Sequence, residues 1–474
     1  MGLGGQIADE PFRKAAGNNS KDVSRRSEAS GKMRWQREPS AASAAILALV
    51  IFAQILWLGA DSALLAVAAA ELNLLAALLA VVLLAPPGVL WARSWPVYLL
   101  LATALGWAAF PQWIAGDPFF AALAVAPRPA PDLLPTMVTR YMGVMGVITA
   151  AAVIGFRRGM MRASVDYLLI FAAFAIVVGL GMRQWDPLHV WGFDKGILAK
   201  RYTGTLLNAN ASAAIFGMLT VLSIGRWRAN RLEHAGRRRQ SSSRRALIEA
   251  LLLVLAIAAL GSCILTGSRT AVSLTLGALA AFFLLDLLAS NGRSRHLWIG
   301  TAALGLGLFL IMALAGEVLL NRVHYLQADA VDRLQIWSHY WQLVRQSPWQ
   351  GYGLGSFSTV NLQSLADPAE ARAFWYINDA HNVVLQMLLE GGWPYFALIA
   401  FGVMLILTSI HRASSNEGSD PLARSMLLAL LLVFGCSLTD IALSVPAVVS
   451  LSAALLGLLW GRSLRAGADR LTPI

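Results

Sequence analysis

Two arginines and one histidine are the side chains of this sequence best suited to chemistry. Arg269 stands in a short turn, LTGSRTA, between two apolar runs, and Arg333 lies in a long polar stretch further along the chain. His381 opens the segment HNVVLQMLLEGG, which continues as an apolar helix. A guanidinium group binds phosphate oxygens through two parallel hydrogen bonds, and a neutral imidazole can take a proton from a hydroxyl group. Together these residue types favour a reaction between a phosphate-bearing substrate and a hydroxyl group.

Each of the three residues also has an ordinary structural explanation when it is taken alone. An arginine at the end of a span commonly extends its side chain to the headgroups, as Arg269 could. Arg333 could lie on a solvated helix face, and a lone histidine such as His381 is more often an interfacial polar residue than a catalyst. The catalytic interpretation depends on all three lying at one membrane depth on the same face, which the topology below predicts.

The composition indicates a membrane protein. Of the 474 residues 57% are hydrophobic and only 14% are charged, and the mean hydropathy is +0.61. A soluble core of this size cannot hide so much apolar surface, so lipid must be the solvent. The formal net charge of +12 does not indicate nucleic-acid binding, because the basic residues stand in short blocks between apolar runs. We therefore expect membrane lipids, and no nucleic acid, as partners.

The apolar runs predict an all-α polytopic membrane protein with about twelve transmembrane helices. Counting roughly 20 apolar residues for each crossing gives spans that start near residues 42, 64, 97, 136, 164, 205, 246, 270, 298, 388, 425 and 444. The predicted segments are a disordered cytoplasmic tail (1–40), helices 1 to 9 (41–317), a large periplasmic loop (318–380), helices 10 to 12 (381–461) and a cytoplasmic tail (462–474).

The orientation follows from the positions of lysine and arginine. The basic block 226–245 and several shorter basic clusters fall on one side if every predicted span crosses. By the positive-inside rule that side is the cytoplasm, and both termini are predicted to lie there. The external face then receives the longer loops, at about 116–135, 183–204 and 318–380, and the last of them leads into His381.

The large loop combines a predicted helix with a glycine-rich turn. The segment QADAVDRLQIWSHYWQLVRQSP places Leu334, Trp337, Trp341 and Val344 on one helical stripe, and GYGLGSF then breaks the pattern. A nucleotide loop is not favoured, because no strand precedes these glycines and no Lys-Ser/Thr follows them. The sequence has no HExxH, no paired-cysteine motif and no Asp-x-Asp pair. We therefore predict neither a metal nor another cofactor.

Four motifs follow one another in the C-terminal half: GSRTA (267–271), RLQIW (333–337), SPWQGYGLGSF (347–357) and HNVVLQMLLEGG (381–392). In order and spacing they resemble the motifs of the O-antigen ligase family, whose signature region is shared by many O-antigen and exopolysaccharide polymerases. The resemblance extends over about residues 200–460 and includes RYTGTLLNANASA at 201–213. It implies a GT-C-like membrane glycosyltransferase with twelve spans, which moves a glycan from undecaprenyl diphosphate to an acceptor on the periplasmic face.

The resemblance also implies roles for individual residues. It makes Arg269, Arg333 and His381 the catalytic residues. Four further residues are predicted to contact substrate: Arg201, Trp337 and Asn382 within the region of resemblance, and Arg140, which lies outside any matched motif, as a charge that lines the cavity. Three carboxylates, Glu71, Glu390 and Asp440, lie within or at the edge of apolar runs, where a charge is costly and usually paired, and the sequence does not name their partners.

Two classes of function are compatible with these observations. The first is a metal-independent, inverting glycosyltransferase of the bacterial inner membrane, with its active site on the periplasmic face. Its acceptor could be lipid A-core, as in an O-antigen ligase, or another lipid-linked glycan, as in a polymerase, and motif similarity favours the ligase. The second is a transporter or flippase of the same lipid-linked glycan. Transporters tend to show related halves, whereas the informative residues here cluster in the C-terminal half, which favours transfer.

Overall fold

The computed structural model describes residues 38–117, 131–196, 201–235, 242–289, 326–347, 349–365, 368–417 and 420–469. Almost all of this is helical, with one short antiparallel hairpin of β1 (His189–Val190) and β2 (Phe193–Asp194). The helices are α1 (Glu38–Leu56), α2 (Ala63–Leu84), α3 (Gly88–Gly116), α4 (Leu134–Gly155), α5 (Met160–Trp185), α6 (Ala209–Ala235), α7 (Ser242–Leu265), α8 (Arg269–Ala289), α9 (Leu326–Gln346), α10 (Phe357–Ser364), α11 (Pro368–Phe374), α12 (Val383–Glu417), α13 (Pro421–Ser437) and α14 (Pro446–Asp469).

The prediction of an all-α polytopic membrane protein is confirmed. Within the described ranges, ten helices are long and apolar enough to cross a membrane, and α13 is a shorter apolar helix of 17 residues. The predicted span near 298 and almost all of the predicted tail 1–40 lie outside the described residues. At the other end of the chain α14 continues to Asp469, so its last turns include residues that the sequence assigned to a cytoplasmic tail.

The helices pack in two groups around buried spans. Helix α6 is enclosed by α7, α8 and α13, and it buries large side chains such as Trp227 and Met218. Helix α4 packs between α2 and α14 through small residues. A Cβ atom added at Gly461 would lie 2.0 Å from the carbonyl oxygen of Ala152, so only glycine allows this approach. Close contact of backbones through small residues is typical of helix pairs in membranes.

One end of the bundle is held by arginine–carboxylate pairs. Arg228 and Asp286 are both nearly fully buried with 2.7 Å between Nε and Oδ2, and Arg424 lies 3.2 Å from the same carboxylate. More pairs at this end link Arg226 to Asp166, Arg231 to Glu249, Arg162 to Glu233 and Arg462 to Asp420. These pairs bring together basic clusters that the topology prediction assigned to the cytoplasm. The polar groups described next lie at the opposite end.

Candidate functional site

Asp440 is the centre of a polar cluster in the turn between α13 and α14. Its Oδ2 accepts a hydrogen bond from Nδ2 of Asn210 and lies 3.4 Å from Nη2 of Arg333. Its Oδ1 accepts from the backbone N–H of Ile441 at 2.8 Å. A carboxylate that is only 9% exposed needs such partners, because burying an unpaired charge is costly. The structure thus supplies partners that the sequence left unnamed, from α6 and α9.

Asn210 shows that the cluster is remote from the arginine pairs. It lies in the first turn of α6, and Arg228 of the other end lies on the same helix. Their separation in sequence corresponds to about 27 Å along a helix axis, which is close to the thickness of the hydrocarbon layer. The two charged ends of the bundle therefore lie about one membrane thickness apart.

His381 contacts the cluster from the segment that precedes α12. Its Nδ1 is 4.0 Å from Oδ1 of Asp440, and its side chain is 34% exposed. Helix α12 begins at Val383, so His381 lies two residues before its first turn. The backbone of His381 is left-handed, with φ of 51°. This conformation is uncommon for a residue with a side chain and is found at functional sites more often than elsewhere.

Neighbouring side chains hold the backbone of His381 in place. Trp337 Nε1 donates to the His381 carbonyl at 3.4 Å. Asn382 caps α12, because its Oδ1 accepts from the N–H groups of Val384 and Leu385. The same amide donates through Nδ2 to the Leu438 carbonyl at 2.9 Å, next to the Asp440 turn. Trp337 and Asn382 were predicted to contact substrate; in the structure both position His381, and their contact with substrate stays a prediction.

The surroundings of His381 favour its neutral form. Burial lowers the pKa of the imidazole below its ordinary value of 6.5, Asp440 opposes this by raising it, and Arg333 lowers it further. A lowered pKa means that the ring has lost its second proton at pH 7. The neutral ring can accept a proton, as the sequence predicts for a base, and the carboxylate that opposes the neutral form is Asp440.

Arg201 joins the SRTA turn to the cluster. Its Nε donates to the Thr266 carbonyl at 2.8 Å, and its Nη2 donates to Oδ1 of Asn210 at 2.7 Å. Asn210 in turn donates to Asp440, so a continuous chain of hydrogen bonds runs from the turn to the carboxylate. Arg269 begins α8 immediately after this turn, and its side chain is half-buried. The predicted residues Arg201 and Arg269 are therefore on segments tied to the cluster.

A small pocket lies between the segment before α12 and the α13–α14 turn. Its polar lining includes His381 and Asp440, together with Asp379 and Ser444, which are hydrogen-bonded to each other. Arg140 of α4 donates to the Ser444 carbonyl at 3.4 Å. Arg140 was predicted to contact substrate as a charge lining the cavity; the structure places it against the wall of this pocket, and its contact with substrate stays a prediction.

Helix α12 is interrupted at Gly392, and the glycine-rich loop packs against the interruption. Gly392 has non-helical angles (φ 65°, ψ −168°), and Pro394 follows it. Carbonyl groups before the break accept from the loop: Leu389 from Tyr352 at 2.7 Å, and Glu390 from Gly353 at 2.8 Å. Because a break frees carbonyls that would otherwise bond within the helix, these contacts satisfy groups that lipid could not. The loop motif is therefore a structural clamp on α12.

The side chain of Glu390 extends the clamp towards His381. Its Oε1 accepts from the N–H of Gly355 at 3.3 Å and from Nε2 of Gln386 at 2.9 Å. The other end of the Gln386 amide accepts from the N–H of Ala380 at 3.0 Å, one residue before His381. Glu390, whose role the sequence left open, thus connects the loop to the segment that carries the histidine. Glu71, by contrast, is exposed on α2.

We expect Gly353→Ala to lower the free energy of unfolding by about 2 to 4 kcal/mol. Gly353 has φ of 92°, and an added Cβ would lie 2.5 Å from Cγ of the buried Gln112. Unfolding of the purified protein in detergent measures the effect. Gly106→Ala in α3 is the control, because an added Cβ there meets nothing within 4 Å. Equal stability of the two variants would show that the loop does not clamp α12.

Sequence reasoning missed Asn210 and left Asp440 without a function. One signal was available: a charge within an apolar run is usually paired with another group. This rule marks Asp440 but does not identify its partner. Asp379 had no catalytic or binding role assigned to it. All three became visible when distant segments of the chain were brought to one pocket.

Comparison with known proteins finds similarity to one protein family and to one relative. Residues 251–400 match the family model described as O-antigen ligase. This part of the chain is therefore similar to the O-antigen ligase family. A 74-residue segment is also 34% identical to the protein described as "General O-oligosaccharyltransferase" of Acinetobacter baylyi, an alignment that covers 16% of this chain and 12% of that relative. The chain therefore aligns with only a small part of that protein's length.

The matched region supplies part of the cluster. The matched residues include Arg269, Arg333 and His381, the three residues for which the motifs imply catalysis. Asn210 and Asp440 lie outside 251–400, one before and one after it. The hydrogen bond between Asn210 and Asp440 therefore joins the segments that precede and follow the matched residues.

Proposed function

We propose that this protein is a glycosyltransferase that moves a glycan from undecaprenyl diphosphate to a hydroxyl group of an acceptor on the periplasmic face of the inner membrane. We propose lipid A-core as the acceptor, which makes the reaction that of an O-antigen ligase. The observation that carries the proposal is the meeting of His381, Arg333 and Asp440, from three separate segments, at one end of the bundle. The family of residues 251–400 supports it.

The histidine and the carboxylate have distinct tasks in this reaction. Asp440 faces Nδ1 of His381, so the proton of the neutral ring would sit on Nδ1 and leave Nε2 free to accept. Nε2 takes the proton of the acceptor hydroxyl as its oxygen bonds to the anomeric carbon of the donor sugar. Asp440 then stabilises the imidazolium that forms. Asn210 donates a hydrogen bond to this carboxylate and Arg333 lies 3.4 Å from it, so both hold it beside the imidazole.

The arginines act on the leaving group. As the new bond forms, the bond between the anomeric carbon and the diphosphate oxygen breaks, and undecaprenyl diphosphate leaves with the electron pair. Arg333 and Arg269 are proposed to bind the diphosphate and stabilise the charge that develops on it. Attack opposite the leaving group inverts the anomeric centre. Because two guanidinium groups supply the positive charge, the proposed reaction requires no metal.

The lipopolysaccharide of a deletion strain tests this function. Loss of an O-antigen ligase leaves unmodified lipid A-core and an excess of long lipid-linked polymer. Core that carries a single repeat unit would instead indicate a polymerase. A normal lipopolysaccharide profile would contradict both and would favour another polysaccharide or transport.

The proposed orientation predicts opposite labelling of two exposed positions. Leu362 lies in α10 of the large loop and Ser243 lies at the start of α7, in the predicted cytoplasmic region. We expect Leu362→Cys, and not Ser243→Cys, to react with a membrane-impermeant maleimide in spheroplasts. The background carries alanine at Cys263 and Cys436, both buried. Labelling of Ser243→Cys before lysis would reverse the orientation.

A further inference from the structure

The pocket beside His381 contains a second carboxylate that the proposed reaction does not use. Asp379 lines it together with His381 and Asp440, and one residue, Ala380, separates it from the histidine. Its side chain is half-buried and hydrogen-bonded to the side chain of Ser444. His381, the proposed base, and the carboxylate of Asp379 therefore line the same small polar pocket.

The charged groups around Asp379 come from several elements. Arg140 of α4 faces it and favours its ionised form, but the guanidinium donates to the Ser444 backbone and not to this carboxylate. Asp61 of the α1–α2 loop and Glu390 of α12 both oppose its ionisation. Burial is the largest influence, and together these raise the pKa of Asp379 from 3.8 to about 7. Its charge therefore changes close to neutral pH.

We propose that Asp379 is a positioning residue that binds the acceptor sugar, accepting a hydrogen bond from the hydroxyl next to the one held by His381. This rests on the proposed function and adds the class of acceptor: a sugar that presents two neighbouring hydroxyl groups. The two side chains lie one residue apart and line the same pocket, so they can contact adjacent substituents of one ring. An ionised carboxylate is the stronger acceptor for such a hydroxyl.

The proposal gives acceptor binding a pH dependence of its own. Above about pH 7 Asp379 is a carboxylate and binds the hydroxyl strongly; below it the group is protonated and the charge-assisted bond is lost. The KM for the acceptor therefore rises as pH falls through 7, by about tenfold. The pKa of His381 lies below 6.5, so loss of the base lowers kcat only at more acidic pH. Asp379 therefore affects the KM for the acceptor, whereas His381 affects kcat.

The test uses the full-length protein in lipid nanodiscs, with lipopolysaccharide from the deletion strain as the probe. Transfer is measured against probe concentration from pH 5.5 to 8.5, and binding of the probe is measured separately without donor. We expect Asp379→Asn to raise the KM about tenfold at pH 8, to change kcat little, and to abolish the KM step near pH 7.

Asp61→Asn is the matched control. Like Asp379→Asn, this substitution removes one carboxylate that interacts with Arg140. Unlike Asp379, however, Asp61 does not line the pocket. Because Asp61 raises the pKa of Asp379, this variant should keep the KM step and shift it to lower pH. Equal probe binding and an unchanged step in Asp379→Asn would overturn the inference. Binding that depends on Asp379 without any transfer would support it and count against the proposed function.

Discussion

Replacing His381 by alanine is expected to reduce the turnover of glycan transfer by about 100- to 10,000-fold, the usual contribution of a general base. The pKa of the imidazole is lowered by burial, so the wild-type ring is ready to accept a proton at neutral pH. We therefore expect wild-type kcat to be constant from about pH 7 to 8 and to fall only below pH 6.5. Single-turnover transfer from preloaded donor measures the effect.

His381→Gln separates proton transfer from positioning. Glutamine can hold a hydroxyl group by hydrogen bonding, but it cannot take the proton at this pH. If His381 is the base, the glutamine variant should be nearly as inactive as the alanine variant, with an unchanged amount of folded protein. Activity within a few-fold of wild type would show that His381 orients the acceptor and that another group removes its proton.

Replacing Arg333 by alanine is expected to reduce turnover by about 100- to 1,000-fold, since loss of one donor to developing charge costs about 2.7 to 4 kcal/mol. The side chain lies 3.4 Å from Asp440 and is 34% exposed, so it can contact both the cluster and a bound diphosphate. Arg333→Lys keeps the charge but not the planar fork, and it should recover only part of the loss.

Arg345 is the matched control for this substitution. It is exposed in the last turn of the same helix, α9. Arg345→Ala should retain wild-type turnover, because a solvated charge on a helix surface contributes little. If Arg345→Ala and Arg333→Ala were equally impaired, the loss would reflect damage to α9 or to general electrostatic attraction, and not a specific contact with the diphosphate.

The fold was predictable from the sequence to the extent that it depends on apolar length. A crossing needs about 20 apolar residues and leaves a long uninterrupted signal, which is why predicted starts near 64, 136 and 270 correspond to α2, α4 and α8. The ends were less certain where a helix continues past its apolar run. Helix α14 shows this, since it extends to Asp469 and its Arg462 pairs with Asp420, the residue before α13.

Periodicity alone did not predict which face of α9 is buried. The stripe of Leu334, Trp337, Trp341 and Val344 predicted the helix correctly, but Leu334 is 61% exposed and Trp341 is 42% exposed. Of the predicted stripe Val344 is buried and Trp337 is partly buried, and the helix also buries Tyr340 and Leu343. The Tyr340 hydroxyl donates a hydrogen bond to Oδ1 of Asn361 in α10. This contact within the large loop fixes the rotation of α9 about its axis. Tertiary packing therefore decides which of two apolar stripes is covered.

The candidate site shows the same limit. Motif types identified Arg269, Arg333 and His381 because chemistry restricts which side chains can serve. The partner of Asp440 depends on which residue of α6 faces the α13–α14 turn, and Asn210 and Asp440 are 230 positions apart. The backbone of His381 depends on Trp337 and Asn382 in the same way. Local sequence contains neither relation.

Reconstituted transfer is the most direct test of the proposal as a whole. The purified protein in nanodiscs is given undecaprenyl-diphosphate-linked glycan and lipopolysaccharide core, both prepared from the deletion strain, and the products are resolved by mass spectrometry. We predict glycan attached covalently to the core, with one undecaprenyl diphosphate released for each linkage formed and no product from His381→Ala. Intact donor without any covalent product, under conditions in which the protein moves the lipid-linked glycan across a bilayer, would contradict the account.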